Sequence, residues 1–233
     1  MADAESPALR VLDLYVTDEA SVEAEAERVA AEAGAPDVVV NNAGQMFLGI
    51  TEAFNADEFT RLLDANVVGV RRVNRAFLPA MRARGSGLIM NVSSTAGRLA
   101  IPFVGIYHAS KWAVEGYSQA LRGKLASSGV DVVIIEPGPF TTALFPRSPQ
   151  PEDVEGRAAT YPAAVHEGNA ALGAAFEGLF ADPDTPTDPA LVVDAMAEII
   201  EMPPGTRPLR TCLGVDFGVR DRVRPSNASM PGS

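Results

Sequence analysis

Cysteine is almost absent from this chain. Cys212 stands alone, which excludes an intrachain disulfide and a cysteine-based zinc site and gives no reason to expect an oxidising compartment. Histidine is nearly as scarce. His108 and His166 have no His-x-x-x-His or similar spacing and cannot build a metal site unaided, so no metal is expected. Lysine is limited to Lys111 and Lys124 against seventeen arginines, none of which form a run, and the formal charge is −11. That balance argues against a nucleic acid or an anionic membrane surface as partner, because both select clustered cations. No apolar run approaches a membrane span, and MADAESPALR lacks a basic stretch followed by an apolar one. A cytoplasmic protein acting on a small molecule is the expectation that survives.

What is present is one well-populated core. With 233 residues and 47% apolar composition, a single domain over 1–233 is expected. Short β-branched runs alternate with longer stretches of helical spacing, the sequence form of βαβ units and an α/β fold with a parallel sheet. Leu9–Leu14 reads as a strand. A helix follows from Glu19 to Ala33, capped by Thr17 or Asp18 and ended by Gly34. Asp37–Asn41 reads as a buried strand, and Asn55 or Asp57 caps one long helix reaching about Arg84, stopped by Gly85 and Gly87. Strands at Leu88–Val92, Val130–Ile135 and Leu209–Val215 and helices at Gly105–Ser128 and Leu191–Met202 complete the pattern. Residues 139–189 are rich in Pro, Ala and Gly with one helix inside, and read as a mobile lid over a substrate; 221–233 read as a disordered tail.

Ligands of open parallel sheets sit beyond the carboxyl ends of the strands. Those ends carry Asn41-Asn42-Ala43-Gly44, Asn91-Val92-Ser93-Ser94 and Glu136-Pro137-Gly138. The helix after the second of these turns holds Tyr107 and Lys111 at i and i+4, on one face. An ammonium ~4 Å from a phenol is worth roughly 4 kcal/mol at an effective dielectric of ~20, or about three pKa units. Taken alone, this spacing more often marks a solvated surface pair; the same spacing can also bring a tyrosine down into working range as a general acid/base.

Taken together, NNAG at Asn41–Gly44, Asn66 within DANVVG, NVSSTAG at Asn91–Gly97, YHASK at Tyr107–Lys111 and EPG at Glu136–Gly138 resemble the short-chain dehydrogenase/reductase family, in its order and at its intervals. Ser94 precedes Tyr107 by thirteen residues, the family spacing, which selects it over Ser93. The resemblance covers residues 9–145 well. It implies a Rossmann-like doubly wound sheet and an NAD(P)-dependent oxidoreductase that moves a hydride between nicotinamide and a secondary alcohol or ketone. Tyr107 would exchange the proton, Ser94 would stabilise the substrate oxygen, Lys111 would also hold the nicotinamide ribose, and Asn66 would anchor a proton-relaying water. Asn42, Ala43 and Gly44, with Pro137, Gly138, the backbone of Phe140 and Thr142, would line the NAD or NADP site. The substrate would be a small apolar alcohol or ketone, and a homodimer or homotetramer is implied.

Other residues read more simply. His108 points about 100° from Tyr107 around the helix and is expected to be structural or interfacial. Trp112, Val114, Tyr117 and Leu121 are spaced as a packing face for the core or a dimer interface. Cys212 reads as a small buried hydrophobe. His166, Phe176 and Phe180 fall in the lid.

The family's opening strand, T-G-x-x-x-G-x-G turn, helix, second strand and second helix have no counterpart, and no G-x-x-x-G-x-G occurs anywhere in the chain. Leu9–Leu14 matches the family's third strand, with Tyr15 where the family usually has an adenine-binding aspartate. The expectation is a sheet lacking the first two strands and the glycine-rich turn, with cofactor binding impaired because that turn supplies the pyrophosphate site. A gap of ~14 Å would separate Leu9–Leu14 from Asp37–Asn41 at about 4.8 Å per strand, unless the first strand moves inward. Otherwise VVV becomes an unpaired, aggregation-prone edge. A misassigned start codon is the preferred explanation; a truncated inactive scaffold and a non-catalytic ligand-binding protein are the alternatives.

Overall fold

The computed structural model describes residues 9–222. The first helix, α1 (Glu19–Ala33), begins where the Asp18 carboxylate accepts the Ala20 and Ser21 amide protons at 2.9 and 3.4 Å. It buries Val22 and Ala26, and Glu19 in its first turn is met by Arg71, Arg72 and Arg75. Strand β1 (Val38–Asn41) follows. A capping box, in which Asn55 and Glu58 each bond the other's backbone amide, starts α2 (Ala56–Leu63).

The expected single helix from Asn55 to Arg84 is interrupted. One π-turn, Asp64–Val68, separates α2 from α3 (Gly69–Arg84), which ends at left-handed Gly85. The wider turn leaves Asn66 pointing inward, where its side chain bonds the backbone of Gln45 and the Ser110 hydroxyl. Then come β2 (Gly87–Val92), α4 (Gly105–Leu125), β3 (Val130–Pro137), α5 (Ala163–Ala181), α6 (Ala190–Glu201), β4 (Arg210–Leu213) and a short α7 (Val219–Arg222). Helix α7 overrides the expected disorder at residues 221 and 222; the rest of that tail, 223–233, lies outside the described residues.

The four strands pair in the order β1-β2-β3-β4, all parallel, making a doubly wound α/β layer. Period-two alternation sends Val39, Ile89 and Val132 to one face, against Val22, Val73 and Leu125. Leu88, Met90, Val133 and Ile135 go to the other, under Ile199 of α6. Both faces of β2 and β3 are buried, which is why these strands read as unbroken apolar runs.

Leu9–Leu14 is not a strand. It lies outside the sheet, β1 forms the edge, and Val40 on that edge is 43% exposed. The segment is held by side chains and caps rather than by a ladder: Leu14 and Val16 pack on the first core cluster, Arg72 donates to the Val16 carbonyl at 3.1 Å, and the Tyr15 amide donates to Ser21 Oγ at 3.0 Å. A hollow of about 380 Å³ between Leu14, Val16 and β1 keeps the backbones apart, so the inward move that would have paired them has not occurred. No helix among the described residues is long and apolar enough to cross a membrane.

Four buried side chains lock β1 and β2 to the helices beneath. Asn41 Nδ2 donates to Asn74 Oδ1 and Asn91 Oδ1 at 2.9 and 2.8 Å, and Asn91 Nδ2 donates to Ser118 Oγ at 2.8 Å. Replacing Asn41 by Ala strands two buried acceptors, and each unsatisfied group costs about 1–3 kcal/mol. Asn41→Ala is therefore expected to lower the unfolding free energy by about 3 kcal/mol in urea denaturation, with an unchanged m-value.

Candidate active site

The turns after β1, β2 and β3 open on one edge of the sheet, as the sequence pattern requires, and there they border a cleft of about 930 Å³. Ser94, Tyr107 and Lys111 all line it. Ser94 begins a tight 3-10 turn, Thr95–Gly97, by accepting the Ala96 amide proton at 3.1 Å, and its own hydroxyl donates to the Pro137 carbonyl at 3.1 Å. Tyr107 and Lys111 sit in the first two turns of α4, both buried. The Lys111 ammonium donates to the Val92 carbonyl at 3.0 Å and lies 5.6 Å from the centre of the Tyr107 ring.

Electrostatics in the cleft runs opposite to the expectation drawn from Tyr107 and Lys111 alone. Burial pushes the Tyr107 phenol up to about 12, and the adjacent Ser94 hydroxyl only partly offsets it. Burial also pulls Lys111 down to about 8, opposed by the charge of Glu115 one turn along. Burial is the largest influence on both groups, and at Tyr107 it outweighs the one opposing contact, the Ser94 hydroxyl.

The remaining predicted residues divide by position. Asn42, Gly44, Pro137, Gly138, Phe140 and Thr142 line the same cleft, whereas Ala43 borders the hollow behind β1. Gly138 has no room for a side chain: a Cβ there would lie 2.1 Å from the Val215 carbonyl oxygen. Asn66 stands behind the wall, 3.2 Å from where a Gly44 Cβ would be, with its side chain wholly engaged by Gln45 and Ser110.

His108 is structural. Its Nε2 accepts the Ile101 amide proton at 3.0 Å, so Nδ1 carries the hydrogen and donates to the Ala96 carbonyl at 2.8 Å, stitching the Ser94 turn to α4. Within the proposed packing face, Val114 is buried but Trp112 is 52% exposed. Cys212 is half-buried on β4 rather than enclosed. Of the residues expected in a lid, Phe176 and Phe180 of α5 pack on Phe145, which lines the cleft.

Sequence reasoning missed several parts. The apolar wall of Met46 and Phe47 follows NNAG directly, and its proximity to that turn was the available signal. Phe103 adopts a left-handed conformation (φ 67) that costs on the order of 1 kcal/mol in a non-glycine residue. Its carbonyl accepts the Gly49 amide proton at 2.7 Å, which holds the entry to α4; nothing in its local sequence marks this.

The depressed Lys111 pKa has a stability consequence. Between about 8 and the ordinary lysine value of 10.5, the folded chain has released a proton that the unfolded chain keeps, so this group's contribution rises with pH through that window and is unfavourable below it. Lys111→Met is accordingly expected to stabilise the fold at pH 7 by on the order of 2–3 kcal/mol. The gain should shrink above pH 8 and vanish by about 10.5, as measured by denaturant unfolding across pH.

Comparison with known proteins gives the family. The family model for short chain dehydrogenases matches residues 2–153. Human 17-beta-hydroxysteroid dehydrogenase type 1 is 43% identical over 150 residues, covering 64% of this chain and 45% of that protein. The chain spans about half the length of the curated relatives it matches. A short-chain dehydrogenase structure from Streptomyces avermitilis superposes with a TM-score of 0.74 at 32% identity, covering 91% of this chain and 73% of that one. A gluconate 5-dehydrogenase from Burkholderia cenocepacia J2315, solved in complex with NADP and tartrate, is 35% identical with a TM-score of 0.54, covering 55% of this chain and 51% of that one. With a family match over most of its length and Ser94, Tyr107 and Lys111 on one cleft, the chain belongs to the short chain dehydrogenase family.

Proposed function

We propose that this chain is an NAD(P)-dependent oxidoreductase that interconverts an apolar ketone and its secondary alcohol. The observation that carries the reading is the convergence of Ser94, Tyr107 and Lys111 on one 930 Å³ cleft at the carboxyl edge of the sheet. The fit for a nicotinamide ribose rests on Gly44 and Gly138, which line the cleft, and on Lys111, which has two N–H donors beyond the one given to Val92. Asn42, Pro137, Phe140 and Thr142 would border the same group, with Ala43 supporting the turn from behind. When bound, the cofactor supplies or accepts the hydride.

The residues handle the proton. At neutral pH the Tyr107 phenol keeps its hydrogen, and Lys111, with its pKa near 8, is mostly charged. The resting cleft is thus set to give a proton to a carbonyl oxygen. Ser94 turns its hydroxyl from the Pro137 carbonyl to that oxygen and stabilises the charge developing on it. Lys111 then faces the phenolate, and Asn66 holds the Gln45 turn so that a water can carry protons from Lys111 outward. Met46, Phe47, Phe140, Leu144 and Phe145 make the cleft suit an apolar substrate body, with segment 139–189 closing over it as a lid. Half-exposed Trp112 supports a homodimer or homotetramer formed through α3 and α4.

A second reading, a non-catalytic ligand-binding scaffold, is favoured by one observation: burial pushes the Tyr107 phenol up to about 12 rather than activating it. Titration with NADH and NADPH by nicotinamide fluorescence separates the two. The oxidoreductase reading expects saturable binding in the micromolar range and ketone reduction that falls ~10³-fold in Tyr107→Phe while binding persists. No binding at millimolar cofactor would favour the scaffold. Reduction should also decline above about pH 8 as Lys111 loses its proton, and the reverse oxidation should rise.

A further inference from the structure

Beside the cleft lies a cluster of polar and charged groups that the proposed reaction does not use. Glu136 is 1% exposed at the end of β3, and Glu115 on α4 is nearly as deeply buried. A single nitrogen, Arg210 Nε, lies 2.9 Å from Glu115 Oε2 and 3.3 Å from Glu136 Oε1, so the two carboxyls are brought together around it. Arg98 Nη1 reaches Glu136 Oε1 at 3.4 Å. Glu115 Oε1 and Ser93 Oγ are buried without any partner. Gly97 closes the space beside them, since a Cβ there would stand 2.7 Å from Ser93 Oγ and 2.9 Å from Glu115 Cγ.

The two carboxyls are buried side by side around one arginine nitrogen, and one oxygen of Glu115 is left without a partner. Two carboxylates buried this close repel each other, and that favours a hydrogen on one of them. Each member is also a chain neighbour of a cleft group: Ser93 of Ser94, Arg98 of the Ser94 turn, Glu136 of Pro137, and Glu115 of Lys111 by one helical turn. We propose that Glu115 and Glu136 form a buried carboxyl pair that holds one proton between them, and that its release places a second negative charge beside Lys111.

The released proton goes to solvent past Arg98 and Arg210, and no other bond changes. The resulting dianion faces Arg98 from the loop after β2, Arg210 and Cys212 from β4, and Lys111 from α4; Asp216 and Arg220 lie beyond Cys212. Burial and the neighbouring Glu115 raise Glu136 to about 7, in keeping with the shared proton. The second charge opposes the burial of Lys111 and keeps its ammonium protonated above neutral pH. This assignment needs no bound cofactor and stands apart from the reaction proposed for the cleft.

Cys212 is a built-in reporter. It is the sole cysteine, it pairs with Glu136 in the β3-β4 register, and its thiol is raised by burial and by the Glu136 charge. The full chain and Glu136→Gln are labelled with iodoacetamide from pH 5.5 to 9. The ratio of variant to wild-type rate should be near one at pH 6 and climb several-fold by pH 9, with its half-change near 7. A ratio of one throughout, or one already several-fold at pH 6 and flat, overturns the shared proton. If Glu136→Gln does not fold, Glu115→Gln serves: the kink in the wild-type rate profile should move down toward the ordinary carboxylate range, and an unmoved kink overturns the pair. With only Lys111 and Lys124 present, ¹³C NMR of lysine-labelled protein reads the coupling. The Lys111 midpoint should fall by at least about half a pH unit in either variant, given a charge one helical turn away. An unchanged midpoint refutes the link to Lys111.

Discussion

The hydrogen bond from the Lys111 ammonium to the Val92 carbonyl ties α4 to the end of β2, and the rest of the cleft takes its geometry from that tie. It joins α4, which carries Tyr107, to the end of β2 beside the turn that begins at Ser94. His108 makes a second stitch between the same two elements, and Ser94 a third, from the β2 turn to Pro137 on β3. A buried ammonium is held against a single carbonyl because three elements converge there.

Burial of polar groups is the common theme, and it has two distinct outcomes. Asn41, Asn74, Asn91 and Ser118 satisfy one another and stiffen the sheet edge from below. Tyr107, Lys111 and Glu136 are buried with fewer partners, and desolvation displaces each of them toward its neutral form. The first group serves stability. The second holds protons in unusual places, which is what general acid/base chemistry requires and what a merely stable fold would avoid.

Much of this was legible in the sequence because the signals were local. Asp18 and Gly34 bound α1 where capping chemistry puts them, the β-branched runs became β1 to β3, and the Tyr107–Lys111 spacing put both groups on one face. The illegible parts were those decided by long-range contacts. Leu9–Leu14 has strand composition, but a strand exists only with a partner, and a hollow separates it from β1. Helical periodicity ran through Asn66 without marking the π-turn, because the turn is set by Gln45 and Ser110, both distant in sequence. The phenol's direction was misjudged because spacing along a helix says nothing about how deeply a pair is buried. Glu115 and Glu136 were likewise invisible as a pair, being brought together by an arginine on β4.

In the proposed reaction the three cleft side chains form one proton-donating centre beside a hydride site. A single-turnover reaction with nicotinamide cofactor deuterated at its reactive carbon and an apolar ketone checks this. A product alcohol bearing one deuterium on the carbinol carbon is expected from the wild-type chain and not from Tyr107→Phe. Recovery of the unlabelled ketone from wild-type chain saturated with cofactor would contradict it.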